Sequence, residues 1–373
     1  MSELFKNFAF ARPSGALTLS NRVVVAPMCQ YSAQQGCAND WHLAHWIGLL
    51  NGGAGLVMLE ATAVTEEGRI TPGCLGLYNE ATAAALDDHL QRARRQAPPV
   101  PVCLQLAHAG RKGSSAEPWN GGGLLGVAQG GWPTLAPSAL AHAPGEATPQ
   151  ALDDEGLARI AQAFVHSARQ AADMGIEAIE LHAAHGYLLH EFLSPVSNHR
   201  TDAYGGNFEG RIRYPLEVFA AVRQAYAGVL GMRISASDWV EGGWTPEETA
   251  DLALRLKQAG ADFVHISSGG VSPQQKIAIG PGYQVPFARM AKQKSGLPTI
   301  AVGLITQPDQ ANQVLADGDA DLVALARAFL YNPRWGWAAA VALGGEVTAN
   351  AQYWRCLPSG TGRIFGDIHV GMR

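Results

Sequence analysis

Short, wholly apolar runs alternate with longer amphipathic runs along this chain, and that alternation constrains the fold more than any single motif. Strands are expected at 22–28, 55–64, 100–108, 176–185, 230–237, 263–268, 298–305 and within 321–329. Helices are expected at 40–50, 80–96, 153–174, 211–227, 245–258, 286–294, 308–316 and after Pro333. Most of the strands are continuous apolar runs, as Arg22-Val23-Val24-Val25-Ala26-Pro27-Met28 illustrates. Strands of that kind have both faces buried, which is the condition of a parallel sheet. Eight β-then-α units predict a closed (β/α)8 barrel, the TIM barrel, in the α/β class. An open doubly wound sheet would favour a glycine-rich nucleotide loop after the first strand, and Pro27-Met28-Cys29-Gln30-Tyr31 is not one. The formal GxGxxG at Gly121, Gly123 and Gly126 follows no strand and opens no helix.

No shift in composition marks a second domain, so residues 1–373 are read as one barrel. It carries a long loop excursion at 109–150 and a C-terminal tail at 346–373. A loop as long as 109–150, rich in glycine, proline and tryptophan, is functional or disordered in compact domains. Local signals punctuate the helices. Thr245-Pro246-Glu247-Glu248 has a capping threonine, proline at the first helical position and acids in the first turn. The helix at 80–96 ends in Arg92, Arg94 and Arg95, the charge that its dipole favours.

A net charge of −5 with no long basic run leaves no electrostatic footprint for nucleic acid or anionic membranes. No apolar run is long enough to cross a bilayer. Met1-Ser2-Glu3-Leu4-Phe5-Lys6 lacks the pattern of a signal peptide. The five cysteines, Cys29, Cys37, Cys74, Cys103 and Cys356, are scattered without a CxxC, which argues against a disulfide framework or a cysteine-held cluster. The expected setting is the cytoplasm.

In such barrels the active site lies at the C-terminal ends of the strands, and the chemically unusual residues collect there. The first strand ends at Met28-Cys29, the second leads to Glu60-Ala61-Thr62, and the third ends at Gln105 and His108 with Arg111 beyond. The fourth ends at His182 and His185, with Tyr187 just after; the fifth carries Arg233; the last two end near Gly303 and Arg327. The loops after strands seven and eight commonly hold a phosphate in this fold, and glycine with arginine suits one. Taken alone, His182-Ala183-Ala184-His185-Gly186-Tyr187 admits a metal site with His108 as a third ligand, an acid–base pair, or plain packing.

The ordered set of motifs resembles the Old Yellow Enzyme family of FMN-dependent ene reductases, in the branch of thermophilic-like enzymes and xenobiotic reductases. Its carriers are Ala26-Pro27-Met28-Cys29-Gln30-Tyr31, Gln105-Leu106-Ala107-His108-Ala109-Gly110-Arg111, and His182 through His185-Gly186-Tyr187 to Ser194-Pro195 and Tyr204-Gly205-Gly206. Arg233-Ile234-Ser235 and Gly280-Pro281-Gly282-Tyr283 add to it.

The resemblance implies non-covalent FMN, with NADPH or NADH as hydride donor and an electron-poor alkene as acceptor: an enone, maleimide, nitro compound or quinone. It implies that Pro27, Met28 and Cys29 run along the flavin edge and that the Cys29 thiol tunes its potential. Ala61 and Gln105 would meet the pyrimidine edge, Arg233 would stand beside N1 and O2, and Gly303, Ala326 and Arg327 would meet the phosphate. His182 and His185 would grip the substrate's activating oxygen, and Tyr187 would deliver a proton. A phenol with its ordinary pKa near about 10 is protonated at neutral pH and can do so. Tyr31 and Arg111 would line the substrate side. A homodimer or homotetramer is expected, with Trp354 and Arg355 near an active site, their own or a neighbour's. The competing function is a metal-dependent barrel hydrolase built on His182 and His185; no metal is expected under the preferred reading.

Overall fold

A computed structural model describes residues 2–12 and 15–368. The chain opens with an antiparallel hairpin of β1 (Phe8–Phe10) and β2 (Leu17–Leu19), which sequence periodicity did not signal. The first barrel strands follow: β3 (Val23–Val25), α1 (Asp40–Leu50), β4 (Leu56–Ala63), α2 (Glu80–Arg95) and β5 (Val102–Ala107). Next come the short β6 (Leu135–Ala136) and β7 (Gln150–Ala151), then α3 (Asp154–Asp173), β8 (Ala178–Ala183), α4 (Leu188–Leu193), α5 (Phe208–Ala225) and β9 (Val229–Ser235). The remainder is α6 (Pro246–Gln258), β10 (Phe263–Ser267), α7 (Val285–Ser295), β11 (Thr299–Ala301), α8 (Pro308–Ala316), β12 (Leu322–Leu325), α9 (Arg327–Tyr331) and α10 (Trp335–Leu343).

The strands β3, β4, β5, β8, β9, β10, β11 and β12 close into a barrel in chain order, every neighbouring pair parallel. The expected TIM barrel is therefore what the chain forms. Two apolar bodies hold it together. One lies between strands and helices, where Val23, Val25, Leu104 and Ile179 meet Trp46, Leu86, Phe164 and Phe219. The other fills the barrel from within, with Val24, Leu56, Met58, Cys103, Ala178, Phe263, Ile300 and Leu322. Phe10 and Leu19 of the hairpin join this inner body from below, so β1–β2 stops the foot of the barrel. Phe10 packs on Phe263 with ring centroids 5.7 Å apart, and Arg12 pairs with Asp262 at the foot of β10.

Towards the mouth the interior turns polar. Register places Gln105, Glu180 and Gly231 at one level across β5, β8 and β9, and His182, Arg233 and His265 across β8, β9 and β10. Period-two alternation sends these residues and the apolar ones below them to the same inner face.

The helix signals resolve locally. Thr245 Oγ1 accepts from Glu248 N, and Glu248 Oε2 accepts from Thr245 N, closing the capping box of α6. Helix α5 begins three residues before its expected start. Asn207 Oδ1 accepts from Gly210 N and caps it there, and Pro215 is tolerated inside the helix. The strand expected over 298–305 shortens to β11, because its C-terminal half turns into the loop that carries Gly303.

The excursion at 109–150 is built from three 3-10 turns, a bridge between Ser115 and Leu124, and the parallel β6–β7 contact. Its root is buried at Arg111 and its arm is exposed, with Trp119 67% accessible. The Gly121-to-Gly126 run lies in that arm. Residues 369–373 of the C-terminal tail fall outside the described residues.

Candidate active site

The two imidazoles and the phenol that end β8 form one compact group. The His182 ring meets His185 at 5.1 Å and Tyr187 at 4.9 Å between centroids, both edge to face. The backbone earns this geometry. His185 has φ +58, a left-handed conformation that is uncommon for a residue with a side chain. It is held by three bonds: His185 N donates to Ser235 Oγ at 2.9 Å, and Lys112 Nζ donates to the carbonyls of His185 and Gly270, each at 2.9 Å. Gly186, at φ +76, lies so close to Gly270 that a Cβ on it would meet the Gly270 oxygen at 2.2 Å. A Cβ on Gly270 would meet the His185 backbone at 2.5 Å. The far side of the turn is pinned by a buried network. Gly186 N donates to His190 Nδ1 at 2.8 Å, His190 Nε2 meets Asp238 Oδ1 at 2.9 Å, and Ser194 and Trp244 N also donate to Asp238.

Burial lowers the pKa of both His182 and His185, with Arg233 adding to it, so both rings are neutral at physiological pH. Burial raises that of Tyr187, which keeps its proton. The group thus offers neutral N–H donors and a protonated phenol.

Across the mouth lies a cavity of about 260 Å³ lined by His185, Arg233, Ser267, Gln284, Gly303 and Arg327, among others. Arg233 is 8% exposed, and its Nε has no hydrogen-bond partner within the protein. Glu180, Cys29 and Tyr187 are all near enough to act on its charge. Gly303, at φ +119, leaves a cradle: a Cβ there would meet Gln284 Nε2 at 2.8 Å. Ala326 is half-buried beside it, and Arg327 is exposed at the start of α9. Gln284 itself accepts from Ser268 Oγ at 2.7 Å and donates to the Val302 carbonyl at 3.3 Å.

The third wall comes from β3, β4 and β5. Pro27, Met28 and Cys29 are half-buried beyond the end of β3. Ala61 is buried on β4. Close to Cys29 lies Cys74, whose sulfur accepts from Thr71 N at 3.3 Å. Cys74 and burial push the Cys29 thiol up. Burial opposes ionisation of Cys74 too, but the influence of Cys29 and Thr71 outweighs it and brings Cys74 to about 7. Gln105 Nε2 donates to Glu180 Oε1 at 2.6 Å, and Glu180 Oε2 meets His265 Nδ1 at 2.8 Å, which fixes the face that Gln105 turns to the mouth.

Some expectations are corrected. Arg111 does not face the substrate side: it donates to the Val271 carbonyl at 2.8 Å and the Leu140 carbonyl at 3.3 Å, tying the excursion to the loop after β10. His108 spends Nδ1 on the amide of Gly110. Trp354, expected near an active site of its own chain or a neighbour's, sits in the C-terminal tail. It packs with Trp337 and Phe365, donates to the Ala349 carbonyl at 3.0 Å, and lies in a tail whose Asn350 bonds the Gln96 carbonyl at the foot of the barrel. Tyr31, at φ +51, has its ring 5.9 Å from that of Trp119 in the excursion. Lys112, Cys74, Ser267 and Glu180 were not singled out by sequence. Each is defined by a partner distant in the chain, and only the place of Ser267 at a strand end could have flagged it.

The profile of the NADH:flavin oxidoreductase / NADH oxidase family matches residues 3–343. An NADPH dehydrogenase of Geobacillus thermodenitrificans is 42% identical over 341 residues, spanning 91% of this chain and 95% of that one. Among solved structures, morphinone reductase is similar with a TM-score of 0.75 at 25% identity, covering 93% of this chain and 91% of that one. Morphinone reductase in complex with tetrahydroNAD aligns with a TM-score of 0.73 at 25% identity, over 94% and 93%. Among the described residues no cluster of three histidine, cysteine or acidic side chains is arranged to hold a metal ion, and no helix is long and apolar enough to cross a membrane.

Proposed function

The chain belongs to the NADH:flavin oxidoreductase / NADH oxidase family, the Old Yellow Enzyme family, and is an FMN-dependent oxidoreductase that draws on NADPH or NADH; from that premise we propose that it reduces the C=C bond of electron-poor alkenes. Enones, maleimides, nitro compounds and quinones form the acceptor class. The observation that carries this reading is the His182–His185–Tyr187 group, with His182 in register beside a buried, partly unpaired Arg233. Nothing supports the metal-hydrolase alternative.

The residues fit FMN. The unpartnered Nε of Arg233 and the Gly303 cradle are features that a flavin and its phosphate would complete. Gly303, Ala326 and Arg327 would hold the phosphate; Gln105 and Ala61 the pyrimidine edge; Pro27, Met28 and Cys29 the remaining edge. Arg233 would stabilise negative charge on the ring system. When bound, FMN supplies two-electron hydride chemistry between nicotinamide and acceptor. His182 and His185 hold the acceptor's carbonyl or nitro oxygen with neutral N–H groups and stabilise the charge that develops on it. Tyr187 gives its proton to the α-carbon. Tyr31 borders the acceptor. A homodimer or homotetramer in which Trp354 and Arg355 approach a neighbour's mouth is part of this reading. So is a cytoplasmic setting, which suits five unpaired thiols.

The visible spectrum of the purified protein tests it. A flavin band should bleach with NADPH under anaerobic conditions and return on adding cyclohexenone. A protein that stays colourless after FMN supplementation, or a bleached one that no enone restores, overturns the reading.

A further inference from the structure

A run of hydrogen bonds passes through the histidine pair, and the backbone fixes its direction. Ala184 N donates to His182 Nδ1 at 3.1 Å. An amide N–H can only donate, so His182 Nδ1 carries the lone pair and the proton of the neutral ring sits on Nε2. That Nε2 faces His185 Nδ1 at 3.3 Å. His185 Nδ1 therefore accepts, and the His185 proton sits on Nε2, 2.7 Å from Ser267 Oγ. In this state the pair aims one N–H at its shared corner and spends it on the neighbouring ring.

An oxygen gripped by both rings needs a second N–H, on His185 Nδ1. Two N–H groups facing each other across 3.3 Å repel unless an acceptor oxygen joins them. His185 can carry its proton on Nδ1 only if its Nε2 finds a donor. A serine hydroxyl both accepts and donates, and it does so by rotating about one bond. The rest of the arrangement is stiff. Ser267 ends β10, and the His185 backbone is tied by Ser235 on one side and Lys112 on the other. What stays free is the position of one proton and one hydroxyl rotor.

We propose that Ser267 is a positioning residue for the acceptor: its hydroxyl accepts from His185 Nε2 in the unliganded enzyme and donates to it once a substrate oxygen is held, which puts the second N–H on His185 Nδ1. This rests on the reading that His182 and His185 hold that oxygen. The two forms of His185 are isomers. A proton leaves Nε2 and one arrives at Nδ1 by exchange with water, so no net proton or charge is taken up.

Nitrogen-15 NMR of histidine-labelled, FMN-loaded protein distinguishes the two forms, with His185 assigned from the spectrum of His185→Gln. Expected is Nε2–H on His185 alone and Nδ1–H after saturation with 4-chlorophenol. The same form in both samples overturns the proposal. Ser267→Ala should weaken 4-chlorophenol binding about tenfold, the worth of one hydrogen bond to a charged oxygen, and Ser267→Thr should restore it. Unchanged affinity in Ser267→Ala, with His182→Ala still weakened, overturns the role of Ser267 alone. Unchanged affinity in His182→Ala overturns the oxygen-holding reading beneath it.

Discussion

The Lys112 ammonium stands 5.3 Å above the centroid of the Tyr187 ring. The same group donates to the carbonyls of His185 and Gly270, so one half-buried cation joins the excursion to the histidine turn and to the loop after β10. Burial lowers its pKa to about 8. Lys112→Met would leave two half-buried carbonyls without that donor. The expected loss is about 1–3 kcal/mol, read as a lower urea midpoint. An unchanged midpoint would mean that the turn holds itself.

Tyr187→Phe keeps the ring against His182 and removes the proton. Reoxidation of reduced enzyme by an enone should slow by about a hundredfold or more, while reduction by NADPH keeps its rate. Stopped-flow measurement of each half-reaction separates the two, and an equal loss in both would remove Tyr187 from the donor role.

Cys29 and Cys74 act as a pair. Cys29→Ala should shift the midpoint potential of bound FMN with the circular dichroism unchanged; a constant potential reduces Cys29 to packing. Cys74→Ala removes the sulfur that pushes the Cys29 thiol up, so Cys29 in FMN-free protein should react faster with iodoacetamide near neutral pH. Peptide mass spectrometry gives the rate at Cys29 itself.

Glu191 supplies a pH signature. Burial pushes its carboxyl from 4.5 up to about 8 against the pull of Arg111. Between those values the folded chain keeps a proton that the unfolded chain loses. The folded state then binds more protons, and its stability falls as pH rises across that window. Glu191→Gln keeps an acceptor for the amide of Arg111 and should flatten that part of the stability curve. Urea midpoints of both proteins across the window provide the check.

The barrel was legible because its strands are buried on both faces and its helices carry their own stops. Helices α1 and α8 form at the expected residues, and α6 starts on the cap that Thr245 announces. The hairpin β1–β2 was not legible, because strands of three residues, each with one buried position, are too short to show a period. Nor was α4, whose single turn and a half follows directly on Tyr187. Strand-end logic led to the residues from Cys29 to Arg327, and the structure brings His182, His185, Tyr187, Cys29, Gln105 and Arg233 to one mouth. It could not reach Lys112, Cys74 or the Gln105–Glu180–His265 chain, because hydrogen bonds between residues dozens of positions apart leave no local pattern. It also misassigned Arg111. A guanidinium near a strand end looks the same in sequence whether it meets substrate or, as here, carbonyls.

Gly186 presses on the backbone of Gly270, and Gly270 presses on that of His185, from two different loops. Neither has room for a methyl group, and both use a conformation that other residues avoid. The two positions are mutationally linked through one seam: a side chain at Gly186 must displace the loop at Gly270, and a side chain at Gly270 must displace the backbone of His185. Change in this scaffold therefore meets a steric barrier at the histidine turn that is absent in the exposed arm, where a Cβ on Gly121 or Gly123 would meet nothing within 4 Å.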